Sequence, residues 1–184
     1  MLAAPTRPEP AEMKLSRLLS TIVSSIGQNT PKPDIEHFPN QAAFTLAVNP
    51  KDQGRMIGSK GSTVWAIQTI FYFAGLAQCG YSYTIKLLEP DSPEKDHKPF
   101  RFNPKWDRSR IKNLLDTIID IVLPKHASYT LTEVDDTTAV VSLTITKYLN
   151  INLQDPNFAE AFASVVKASG MSNGVNIKTE AIFA

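Results

Sequence analysis

Few residues of this 184-residue chain suit covalent or metal chemistry. A single cysteine, Cys79, rules out an internal disulfide, so a reducing, cytoplasmic setting is the expectation. Cys79 sits in an apolar stretch and reads as a small core residue rather than a nucleophile. The three histidines, His37, His97 and His126, lack the spacing of zinc ligands. There is no Ser/His/Asp or Cys/His signature, no GxxxxGK[ST] phosphate loop and no paired-cysteine motif. The chain is therefore expected not to be an enzyme and to need no cofactor or metal. No apolar run approaches the roughly 18 residues that span a membrane. The first twelve residues, MLAAPTRPEPAE, lack the apolar core of a secretory signal and read as a loose tail.

A strong charge of either sign is also missing: the net charge is +1. The distribution is uneven. Met13 to Leu88 holds seven Lys/Arg against three Asp/Glu, whereas Arg108 to Ala184 holds seven against eight. A positive first half beside a neutral second half predicts a division of labour.

What is present is a repeat. LSRLLSTIVSSIG, from Leu15, aligns with IKNLLDTIIDIVL, from Ile111. In the second, Ile111, Leu114, Leu115, Ile118, Ile119 and Val122 share one helical face. Two strand-like runs follow each helix: Asp34–Phe38 and Ala43–Val48 in the first copy, Tyr129–Val134 and Ala139–Thr146 in the second. Each copy then supplies a long helix and a last strand. These are STVWAIQTIFYFAGLA with YSYTIKLL, and DPNFAEAFASVVKASG with VNIKTEAIF. Ser62 and Asp155 are candidate N-caps, and Pro156 suits the first helical position. Both copies read helix, strand, strand, helix, strand. The expected fold class is α+β: residues 13–90 as one unit, 91–107 as a Pro-rich charged linker, and 108–184 as a second unit.

The copies differ between the middle strand and the long helix. The first has PKDQGRMIGSKG; the second has KYLNINLQ, with no glycine. In the first, a strand ends at Asn49-Pro50, a short helical turn runs from Lys51 to Ile57, and Gly58-Ser59-Lys60-Gly61 leads into a long helix at Ser62. Two glycines two residues apart are common by chance, and a tight interhelical turn is the bland alternative. The helix–loop–helix context gives them a use. Backbone N–H groups of the loop and of the following helix converge on one spot, as an anion site requires. Glycine lets a phosphate backbone approach without a Cβ in the way. Lys60 adds charge there, with Arg55 and Lys51 one turn back.

NPKDQGRMIGSKGSTVWAIQTI resembles the signature of the small bacterial single-KH-domain RNA-binding proteins. Pro50, Asp52, Gly54, Arg55, Met56, Ile57, Gly58, Lys60, Gly61, Ala66 and Ile67 carry the resemblance, which covers about residues 14–88. It implies a type II KH-like unit, a three-stranded sheet with helices on one face. It also implies that the GXXG loop clamps the backbone of about four unpaired nucleotides, with bases over an apolar groove. The RNA-binding residues are then Lys51, Arg55, Ile57, Gly58, Ser59, Lys60, Gly61 and Ser62. Similar units bind single-stranded DNA, so the partner is single-stranded RNA or DNA. Residues 108–184 become a degenerate KH-like repeat without the loop, expected not to bind RNA. Asp155 and Glu160 near the start of its long helix occupy the place an anion would take.

The departures are Gln68, where the family usually has Arg after Ala-Ile, and the aromatic residues Trp65, Phe71, Tyr72 and Phe73. Core or interface packing is the reading for these aromatics, ahead of base stacking. Phe71 to Phe73 cannot all face one core, so one of them is expected to meet the second repeat or a partner. In the linker, Phe100, Phe102 and Trp106 alternate with Lys98, Arg101, Lys105, Arg108 and Arg110. Such a mixture stacks on single strands or pins a linker to the domain, and pinning is the favoured reading. From another functional class, the chain reads as a KH scaffold that serves protein assembly, with self-association or a protein partner held through the second repeat. Gln68 and the mild charge favour that alternative; the intact loop favours nucleic acid.

Overall fold

The structure is a computed structural model, and it describes residues 9–30, 33–88, 107–146 and 156–183. The linker as far as residue 106, the segment 147–155 with the Asp155 cap, and residues 1–8 of the tail lie outside the described residues. The fold is mixed α+β, with five α-helices and two three-stranded sheets among the described residues.

The first helix, α1, spans Ala11–Ile26. It starts inside the stretch read as tail. Its first turn forms behind Pro10, whose carbonyl accepts from Lys14 N. Leu15, Leu18, Leu19, Ile22, Val23 and Ile26 recur at three- and four-residue steps and are fully buried. Strands β1 (Asp34–Phe38) and β2 (Ala43–Ala47) pair antiparallel. Helix α2 (Pro50–Ile57) and a 3-10 turn at Ser59–Gly61 lead into α3 (Ser62–Cys79). Strand β3 (Thr84–Leu87) returns parallel to β2. The register places His37 opposite Phe44, and their rings stack with centroids 4.6 Å apart.

The second half repeats this order. Helix α4 (Arg108–Val122) is capped by Asp107, whose carboxylate accepts from the N–H groups of Ser109 and Arg110. Strands β4 (Ala127–Asp135) and β5 (Thr138–Ile145) form an antiparallel hairpin turning at Asp136-Thr137. Helix α5 (Pro156–Ser172) and β6 (Asn176–Phe183) follow, with β6 parallel to β5. Each sheet thus has the same strand order and pairing sense. In both halves a glycine in the long helix lets the returning chain cross closely. A Cβ at Gly75 would lie 2.7 Å from Tyr81 O, and one at Gly170 2.9 Å from Val175 O.

The two helix layers pack on each other and share one continuous core. Helix α1 lies against α4 and α5, and α3 against α5 and α4. The arrangement has an approximate two-fold character that two hydrogen bonds make explicit. Asn173, just after α5, donates to Ser25 O at 3.1 Å; Gln78, at the end of α3, donates to Ile121 O at 2.6 Å. The alignment of Leu15 with Ile111 also sets Ser25 against Ile121. The same carbonyl near the end of each first helix is therefore held by an amide from the end of the opposite long helix.

Three consecutive rings are sorted in three directions. Phe71 is buried edge-on against Phe44 of β2. Phe73 meets Phe158 of α5 edge-on, with centroids 5.4 Å apart. Tyr72 packs on Phe73 and is 45% exposed.

Candidate nucleic-acid interface

The corner between α2 and α3 brings together all eight residues singled out from the sequence. Asn49 starts α2, its side chain accepting from Lys51 N, with Pro50 at the first helical position. Gly58 N donates to Gly54 O and closes the helix. Gly58 then takes φ 74°, ψ 177°, a region essentially reserved for glycine, and a Cβ there would collide with the Thr63 side chain. Lys60 (φ 53°) and Gly61 (φ 81°) both adopt left-handed conformations. Ser62 is the first residue of α3 and not its cap: Gly61 holds the cap position, and no side chain caps the helix.

This backbone path turns the middle of the loop outward. Ser59 and Lys60 are exposed, and the Lys60 ammonium has no ion-pair partner among the described residues. Ile57, just before the loop, is 40% exposed. Gly54 sits on the exposed side of α2, and a Cβ added to it would meet no heavy atom within 4 Å. Nothing among the described residues accounts for a glycine at that position.

Arg55 is placed differently from Lys60. Its guanidinium is turned inward, with Nη1 on Asp52 Oδ1 at 3.1 Å and Nη2 on Gln28 Oε1 at 3.3 Å. Asp52 is completely buried and accepts from Gln28 N, Asn29 N, Asn29 Nδ2 and Thr30 Oγ1 as well. Burial pushes the Asp52 carboxyl up, but these donors outweigh it and hold the group below the usual carboxylate range. Burial lowers the Arg55 guanidinium, partly offset by Asp52. The sequence pattern gives Asp52 no role of its own. Its donors come from the turn after α1, more than 20 positions away, and no local pattern announces them.

A cleft of about 510 Å³ runs between α3 and β3. Trp65, Gln68 and Tyr72 line its α3 side, Tyr83 and Ile85 the β3 side, and Asn157 of α5 one end. Trp65 is 38% exposed here. It and Tyr72 line the cleft, where core or interface packing was the expectation. The Tyr83 hydroxyl shares a 2.8 Å hydrogen bond with Tyr81, and burial raises its pKa.

Among the described residues no three His, Cys, Asp or Glu side chains gather as a metal-ligand set, and no helix is long and apolar enough to cross a membrane. Compared with known proteins, the chain matches no family model and no curated sequence.

Proposed function

We propose that this chain binds single-stranded RNA at the α2–α3 corner, as a KH-like unit of type II, with a second KH-like unit lacking the loop. The observation that carries the reading is the loop backbone. Exposed Ser59 and Lys60, the latter with its ammonium, stand between two positive-φ glycines that hold the turn open. A phosphate fits there by hydrogen bonding and charge together. The cleft between α3 and β3, with Trp65 and Tyr72 in its lining, offers ring faces on which bases stack. The order helix, strand, strand, helix, strand, with helices on one face of a three-stranded sheet, agrees with what the KH resemblance implies.

Lys60 is the principal phosphate contact and Lys51 a second. Arg55 contributes through its partly exposed guanidinium while it holds Asp52. With about three phosphates neutralised, the slope of log K against log salt should be about −2 for a single strand. The test is a fluorescence-anisotropy titration of the full chain with a random single-stranded RNA, repeated on Ser59→Asp/Lys60→Asp. Aspartate tolerates the left-handed conformation of residue 60 better than most residues, so the fold should persist. The double variant is expected to lose binding at unchanged thermal stability. Equal affinity of both proteins would refute the site, and no binding by wild type would leave the protein-scaffold reading.

A further inference from the structure

The loop's support does not end within the first half. Asp52 is clamped by the turn Gln28-Asn29-Thr30, and Thr30 Oγ1 also accepts from Asn49 N, fixing both the start and the first turn of α2. That turn is in turn held by the end of α5. Gln28 Nε2 donates to Ser172 O at 3.0 Å, while its Oε1 accepts from Arg55. One turn earlier, Ser25 O accepts from Ser169 Oγ at 3.3 Å and from Asn173 Nδ2 at 3.1 Å. Ser25, Ser169 and Asn173 are all buried. Polar groups buried in this way have no alternative partner in water, so their geometry is held firmly.

We propose that the second half is a brace for the loop: α5 grips the Ser25–Thr30 segment, which grips Asp52 and Arg55, which orient α2 and the Ser59-Lys60 amides toward phosphate. Gln28 is the positioning residue at the junction, since its side-chain amide bonds both Ser172 O of α5 and Arg55. This inference rests on the RNA-binding reading and gives the loop-less repeat a task in it. The repeat binds no RNA itself but keeps the loop in a competent geometry. Preorganisation of this kind acts on affinity by cutting the ordering that binding would otherwise require.

The test uses the full chain with Gln28→Met, which keeps length and removes both amide functions. Two measurements are made. Backbone 15N order parameters of Ser59 and Lys60, taken without RNA, read the brace itself. They are expected to fall from about 0.85 toward about 0.6, with α4 and β5 unchanged. The RNA titration reads its consequence: affinity falls about fivefold at an unchanged salt slope, because no phosphate contact is deleted. A merely structural loss of stability would not single out the loop. Unchanged order parameters, or a looser loop with unchanged affinity, would overturn the proposal. If wild type binds no RNA, the functional reading fails, and the order parameters alone decide the brace. Should Gln28→Met fail to fold, Ser169→Ala removes one hydroxyl from the same grip. Smaller shifts of the same sign would then support the proposal, and none would overturn it.

Discussion

Gly54→Ala sets two demands on the same helix against each other. Gly54 is interior to α2 and exposed, and a methyl group placed on its Cα would have no heavy atom within 4 Å. In an exposed helix interior, alanine is favoured over glycine by about 0.8–1.0 kcal/mol, mainly through backbone entropy. With nothing to clash with, the variant should gain most of that. For a chain of this size the gain corresponds to a Tm rise of about 2–4 °C. The same methyl stands on the exposed side of α2 between Lys51, one turn earlier, and Ile57, one turn later. A nucleic-acid backbone anchored on the Ser59 and Lys60 amides and continuing past Lys51 would meet it. Displacing one phosphate from a charged hydrogen bond costs about 1.5–3 kcal/mol, so affinity should fall about tenfold or more. Circular-dichroism melting and anisotropy titration at fixed salt give the two numbers. The expected signature is a protein that is more stable and binds RNA more weakly. A higher Tm with unchanged affinity would show that the strand does not cross α2. A lower Tm would show that the helix is strained at this position and that the reasoning from free space is wrong.

Three further outcomes follow from the same packing. Asp52→Asn leaves several donors facing an amide instead of a carboxylate, and should destabilise the fold by about 3 kcal/mol near neutral pH. Because the folded-state pKa of Asp52 is depressed, its stabilisation is present above the ordinary carboxylate pKa and is lost as pH falls through the lower folded value. Urea titrations should therefore show the gap between wild type and variant closing below about pH 4, and a gap constant down to about pH 2 would contradict the assignment. His37 has a buried Nε2 with no hydrogen-bond partner among the described residues, while its ring stacks on Phe44. His37→Phe keeps the stack and removes the unsatisfied atom, so the urea midpoint should rise by the equivalent of about 1 kcal/mol; a lower midpoint would refute this. Residues 108–184 expressed alone lose the partners of α4 and α5, including Phe73 against Phe158. They should self-associate or aggregate in light scattering and bind no RNA, whereas a monomeric, cooperatively folded fragment would contradict the shared core.

The repeat, its element order and the loop were legible in the sequence because each depends on neighbours a few residues apart. Apolar residues at helical steps in Leu15–Ile26 and Ile111–Val122 must bury one face, and β-branched alternation in Ala139–Ile145 must lie in a sheet, wherever the rest of the chain goes. Gly58 and Gly61 announced their turn for the same reason: backbone conformations at positive φ are a local property. What the residues do to one another across the fold was not legible. Arg55 has the same charge as Lys60, yet the carboxylate of Asp52 one turn back and an amide from distant Gln28 turn it inward while Lys60 faces water. Phe71, Tyr72 and Phe73 are three adjacent aromatics, and the positions of β2 and α5 decide which phenyl ring enters which contact. Asp52 would read as an ordinary acidic residue in a helix's first turn. It becomes a buried anchor only because the chain after α1 returns to present its N–H groups there, and that return is held by α5, 144 positions beyond Gln28. Such contacts depend on distance in space, which hydrophobic burial of the whole chain determines and no sequence window contains.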